Sequence, residues 1–201
     1  MRKLSLAALP IAAMLVLSAC SNTTYADVVR FHSNQPITRG TLAVVPADPT
    51  IANSLEFRTH AETVAVQMRR IGYSTGLPLS QVQYIATVDV TQADSQGNVT
   101  RPGVTVGGGV GVPIGNNAAM GANVAVPVGS SRRNPALRST TLQVQISNAA
   151  TRANIWEGRA TKEANVNDAG ANAANAVPML AEALFRDFPG PAGAATRVPL
   201  K

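Results

Sequence analysis

The chain has 201 residues, which fits one domain with short flanking segments better than two full ones. Aromatics make up only 4% of it, so the core must be built from Val, Ile, Leu and Ala, as suits strands and small-residue helices. The formal net charge is +6, but beyond Arg2-Lys3 the only basic doublets are Arg69-Arg70 and Arg132-Arg133. A basic stripe interleaved with stacking aromatics is missing, which argues against a nucleic-acid partner. Weak attraction to anionic membrane headgroups fits better.

Met1-Arg2-Lys3 is a short positive start, followed by an apolar run from Leu4 to Leu17. As a helix this run spans ~21 Å, short of the ~30 Å hydrocarbon core, so it reads as a signal-peptide segment rather than a membrane span. Leu17-Ser18-Ala19-Cys20 resembles the lipobox of bacterial lipoproteins, in which an aliphatic residue and two small residues precede an obligatory cysteine. The Cys20 thiol is the nucleophile that takes a diacylglyceryl group. Small neighbours admit the peptidase, and the new amine of Cys20 can take a third acyl chain. Ser21, where an Asp commonly retains lipoproteins at the inner membrane, implies by the same resemblance sorting to the periplasmic face of the outer membrane. The competing reading is an ordinary secretory signal cut after Thr24-Tyr25-Ala26, which would discard Cys20. Cys20 is the only cysteine, so no intramolecular disulfide can form.

The organisation expected is a signal peptide over 1–19, an acylated Cys20 and tether over 20–26, and a domain over 27–189. A disordered Pro-, Gly- and Ala-rich tail is expected over 190–201. Asp27–His32 reads as a strand, and Thr41–Val45 as a second, stopped by Pro46 and Pro49. Leu55–Ile71 carries Phe57, Ala61, Val64, Ala65 and Met68 at helical spacing, with an N-cap at Asn53 or Ser54 and Gly72 at its end. Gln83–Gln92 alternates, with Tyr84, Ala86, Val88 and Val90 on one face. Arg138–Asn148 alternates too, with Leu142, Val144 and Ile146 inward, and Ile155–Thr161 is its hairpin partner. A last helix lies within Asp168–Asp187, with Val177, Leu180, Ala181 and Leu184 on its apolar face. Pro178 either kinks that helix or sits in the first turn of a shorter one. The fold class is α+β: an antiparallel sheet of about five core strands with two helices on one face, in the order β-β-α-β-[Gly-rich hairpin or loop]-β-β-α.

A glycine-rich insertion over 97–131 separates the third and fourth core strands. It has neither a Lys-Ser/Thr ending nor a G-x-G-x-x-G pattern, so phosphate-loop and dinucleotide readings fail. Val104, Val106, Val110, Val112 and Ile114 fall on even positions, as do Val124, Val126 and Val128. Three readings stay open: a low-complexity loop, a hairpin packed on the domain, or a hairpin whose valine face meets a partner, another copy or lipid.

In their order, Val28-Val29-Arg30-Phe31-His32, Thr41 to Pro46, Ile71-Gly72-Tyr73, Ile155 to Ala160 and Leu184 to Pro189 resemble a family of bacterial lipoproteins. That family is known only as a domain of unknown function, number forty-one thirty-six. The resemblance covers roughly Asp27 to Pro189 and implies an α+β fold with an antiparallel sheet and two helices. It implies no catalytic residues. Tyr84-Ile85-Ala86 departs from the family's usual Ala-Asp-hydrophobic start to that strand.

No catalytic constellation is recognisable. His32 and His60 are the only histidines, and no cluster has metal-ligand spacing, so no metal or cofactor is expected. Both histidines read as surface or boundary residues, and Trp156 as core rather than a sugar-stacking platform. The carboxylates show no pair in an acid–base context, and there is no G-x-S-x-G elbow. The expectation is a non-enzymatic envelope lipoprotein, held on the membrane through acyl chains on Cys20, acting as an interaction or structural module with an envelope protein or glycan. Whether it forms a homo-oligomer stays open. The alternatives are a binding module for peptidoglycan, lipid or a small apolar ligand, and a hydrolase with an unrecognised site.

Overall fold

The computed structural model describes residues 24–33, 36–95, 99–100, 132–133 and 136–200. Along the chain lie β1 (Tyr25–His32), β2 (Leu42–Pro46), α1 (Leu55–Arg70), β3 (Tyr84–Ser95), β4 (Val99–Thr100), β5 (Arg132–Arg133), β6 (Leu137–Asn148), β7 (Asn154–Asn165), α2 (Ala173–Phe185) and β8 (Ala195–Pro199). Six strands form one sheet in the order β2-β3-β6-β7-β1-β8, and β4 pairs with β5 apart from it. The fold is α+β, as the sequence predicts. One pair, β2 with β3, is parallel. The cause is local: α1 is the crossover between these strands, and a helical crossover returns the chain in its original direction.

Alternation decides which side chains enter the core. Val28 on β1, Ala86 and Val88 on β3, Leu142, Val144 and Ile146 on β6, and Trp156 and Ala160 on β7 are buried under the helices. Thr141, Gln143 and Gln145 point to the uncovered face, as the period of two predicts. The long strands register without slip from Tyr84↔Asn148 to Ser95↔Leu137.

Ser54 begins α1: its side-chain oxygen accepts the Phe57 N–H at 3.0 Å. Glu56 in the first turn and Arg69 and Arg70 in the last oppose the helix dipole. Gly72, at φ +99°, ends the helix in the left-handed region that glycine tolerates best. Asn172 caps α2 by accepting the Ala174 N–H at 2.9 Å. Pro178 lies inside this helix, past its first turn.

The expectation of a disordered tail over 190–201 fails. Ala195–Pro199 is an edge strand antiparallel to β1, from Tyr25↔Pro199 to Val29↔Ala195. It buries Val198 and Leu200, and the Leu200 N–H donates to the Thr24 carbonyl at 2.8 Å. β1 would otherwise present an unpaired edge, and this segment satisfies it. The domain bounds therefore shift outward from 27–189: Tyr25 and Ala26, expected in the tether, are in β1, and the domain runs on to Leu200. Most of the glycine-rich insertion, 101–131, lies outside the described residues, as do 1–23 and with them Cys20. The insertion's flanks are brought together by Val99↔Arg133 and Thr100↔Arg132.

Candidate functional site

Two concave features flank α1. The more enclosed is a cavity of about 350 Å³ between the N-terminal turns of the two helices and the second half of β3. Helical spacing turns Phe57 and His60 inward, strand alternation adds Val88, Val90 and Gln92, and Ala173 closes it at the start of α2. The walls are mainly apolar with a few polar groups, the usual make-up of a small-molecule site.

His60 was expected at the surface or a boundary, and the structure corrects this: it is 7% exposed. It shares the stripe of Phe57, Val64 and Met68, so position overrides residue type. Its Nε2 is buried and has no hydrogen-bond partner. The Glu56 Oε1, one turn back, is 3.6 Å away, too far for a hydrogen bond. An orphaned polar atom of this kind is costly in a folded chain and invites a ligand or water. Gln92 is committed on one side: its Nε2 donates to the Thr140 Oγ1 and the Ala171 carbonyl, both at 2.9 Å.

Next to it, Lys162 is 5% exposed and donates from Nζ to the Gly170 carbonyl at 2.9 Å. Burial pulls its pKa below the usual lysine value, and nearby Asp168 partly offsets this. Gln92 and Lys162 together pin the turn Ala169–Ala171 to the sheet and so fix where α2 begins.

The second feature is an open groove of about 1090 Å³ between α1 and the edge strand β2. Leu42, Val44, Ala61, Ala65 and Leu77 contribute to it. Leu55, 76% exposed, stands at its rim on the first turn of α1.

The segments that carry the family resemblance converge at the far end of the sheet. Arg30, 1% exposed, donates from Nε to the Leu184 carbonyl and from Nη2 to the Ala183 carbonyl, both at 2.9 Å. Burial pulls its pKa down, with Asp187 acting against that. The Trp156 Nε1 donates to the Pro189 carbonyl at 3.0 Å, and the His32 ring lies 2.9 Å through Nε2 from the Gly190 carbonyl. Phe185 and Phe188 pack on the Trp156 ring. Arg39 lies over the Phe188 ring at 4.8 Å, and Tyr73 is held in the same cluster. These contacts lock the end of α2 to the sheet. They are structural, and Trp156 is the core residue its strand position implied.

The structure does not gather the other sequence candidates. His32 and His60 lie at opposite ends of the domain, and among the described residues no group of three His, Cys, Asp or Glu is placed to hold a metal ion. Among the described residues no helix is long and apolar enough to cross a membrane.

An uncharacterised protein of Zymomonas mobilis subsp. mobilis is 31% identical over 210 residues, spanning 86% of this chain and 79% of that one. Among solved structures, the chain is similar to a PelC dodecamer from Paraburkholderia phytofirmans at 8% identity, with a TM-score of 0.39 over 78% of this chain and 91% of that one. It is also similar to a PDZ domain protein from Parabacteroides distasonis at 9% identity, with a TM-score of 0.44 over 87% of this chain and 39% of that one. The family model described as a domain of unknown function (DUF4136) matches residues 23–190, and the chain belongs to that family.

Proposed function

We propose that this chain is an envelope lipoprotein, cut before Cys20, acylated there, and held at the periplasmic face of the outer membrane as a non-enzymatic interaction module. The observation that carries this reading is where the fold begins. Ala26 is fully buried in β1 and opposite Val198. A cut before Asp27 would remove Tyr25 and Ala26 from a paired strand, whereas a cut before Cys20 leaves β1 whole. Two or three acyl chains then make attachment effectively permanent, since each buried methylene adds ~0.8 kcal/mol. The groove beside β2, with Leu55 at its rim, supplies a surface on which an envelope protein or glycan can dock. Mass spectrometry of the native N-terminus tests the anchor: a diacylglyceryl-modified Cys20 is expected, and a chain beginning at Asp27 overturns it. Crosslinking in intact envelopes tests the module, with partner recovery expected above an unacylated control.

A second reading has its own support. The cavity beside His60 is of a size to take a small apolar ligand bearing one polar group, which would meet the unpartnered Nε2. Native mass spectrometry of material purified from its own envelope should then show a co-purifying small molecule that His60→Leu releases.

A further inference from the structure

We infer that the end of the sheet where β1 starts is the membrane-facing end of the domain, and that the bilayer surface is what covers it. This rests on the acylation of Cys20 proposed above. Cys20 precedes Thr24, where the described chain begins, by four positions. Four residues of fully extended chain span at most about 14 Å, so Thr24 stays that close to the lipid interface.

The strand register carries this constraint across the sheet. Tyr25 lies opposite Pro199, and Asp27 opposite Thr161 in the second half of β7. Further along, Leu137 lies opposite both Asn165 and Ser95. The start of β1, the ends of β8, β7 and β3 and the start of β6 therefore share one end. Both attachments of the glycine-rich insertion leave through it, and β4 and β5 continue beyond Ser95 and before Leu137. The opposite end carries the β6–β7 turn at Ala149–Ala153, a 12-residue strand away. That is roughly 40 Å at 3.3 Å per residue.

The described strands carry Asp27, Glu163 and Asp94 at this end, the last paired with Arg138, so its positive charge comes from the insertion. Between Gln96 and Pro135 the sequence holds Arg101, Arg132 and Arg133 and no Asp or Glu. A segment of that composition, tied to this end, is complementary to anionic headgroups. The cavity at Val90 and Gln92 sits in the same half of the domain, while the far end holds the packed cluster of Arg30, Trp156 and Phe188.

The test uses the full acylated chain in vesicles of phosphatidylethanolamine and phosphatidylglycerol. Acylation occupies the Cys20 sulfur, so Ser95→Cys or Thr151→Cys introduces a lone free thiol for a fluorescent donor. The acceptor is carried on a lipid headgroup, with a transfer distance shorter than the sheet. Energy transfer from position 95 should exceed that from position 151 several-fold, with both variants floating with the vesicles and keeping the wild-type circular dichroism. Flotation with equal transfer, or greater transfer from position 151, overturns this orientation alone. Failure to float overturns the anchor and the orientation together.

Discussion

The Arg30 Nε donates to the Leu184 carbonyl at 2.9 Å, joining the C-terminal half of β1 to the last turn of α2. The carbonyls of a last helical turn lack intrahelical partners, and a cation there also meets the negative end of the helix dipole. The same guanidinium reaches Ala183, so one fork serves two carbonyls. Arg30→Met should leave both acceptors buried and unmet, lowering stability by about 3 kcal/mol in urea unfolding. Arg30→Lys should recover only part of this, because an ammonium cannot present the planar fork. A full recovery by lysine would show that charge alone matters there.

Gly158 depends on close approach rather than on backbone freedom. A Cβ at this position would overlap the Trp156 ring and lie 2.8 Å from a Leu184 methyl. Both neighbours are buried core, so neither can swing away. Gly158→Ala should therefore destabilise by about 1–3 kcal/mol through overpacking. Near-ultraviolet circular dichroism should report the displaced indole. An unchanged spectrum and midpoint would mean that the ring has room to shift.

Where the sequence signal is periodic and local, it predicts the fold well. Leu142, Val144 and Ile146 alternate with polar residues, and Phe57, Val64 and Met68 recur at helical spacing, so β6 and α1 are legible. His60 is misread when residue type is weighed above register, and Arg30 and Lys162 owe their burial to register in the same way. Each lies on the inward side of its own element, beside Val28, Phe57 and Ala160 respectively. β8 has almost no local signal: Val198 and Leu200 stand among Pro, Gly and Ala, and only pairing with a distant strand makes the segment regular. The cavity is a property of packing between α1, α2 and β3, which no single segment encodes.

β8 gives that non-local pairing a measurable worth. Ending the chain at Gly193 removes the strand, takes Val198 and Leu200 from the core and exposes the β1 edge. Burying a Val or Leu contributes about 1.5–3 kcal/mol each, so a loss of at least ~3 kcal/mol is expected. The truncated chain should also self-associate through its new edge, visible as concentration-dependent light scattering. A monomeric chain with an unchanged urea midpoint would show that the strand contributes nothing.

The Asp94–Arg138 pair makes stability depend on acid. Arg138 meets both carboxylate oxygens, at 2.6 Å and 2.7 Å, across the β3–β6 register. The hydrogen bonds from Arg138 hold the Asp94 carboxyl below its ordinary value of 3.8, burial opposes this, and the Arg138 charge adds to it. A carboxyl with a depressed folded-state pKa contributes stability that is present above its unfolded value and lost as pH falls through the folded one. Wild type should therefore lose stability below about pH 3.8 more steeply than Asp94→Asn, while the two converge at lower pH. Both residues are solvent-accessible, so the difference near neutrality should be small. Parallel acid profiles of the two proteins would show that the pair adds nothing.

His60 sets the cost of an empty cavity against the gain from a filled one. Its buried Nε2 has no partner, and an unmet buried polar atom costs about 1–3 kcal/mol. Leu replaces the imidazole with an apolar group of comparable size, and a nearly isosteric apolar exchange removes that cost. His60→Leu should raise the urea midpoint of the ligand-free domain by an amount equivalent to about 1 kcal/mol. Phe57→Ala, at the same wall but without a polar atom to relieve, should lower it by about 3 kcal/mol. If His60→Leu is instead destabilising, the imidazole is satisfied by Glu56 or by water. The cavity then has no unmet group to offer a ligand, and the small-molecule reading falls while the lipid anchor and the orientation of the sheet are untouched.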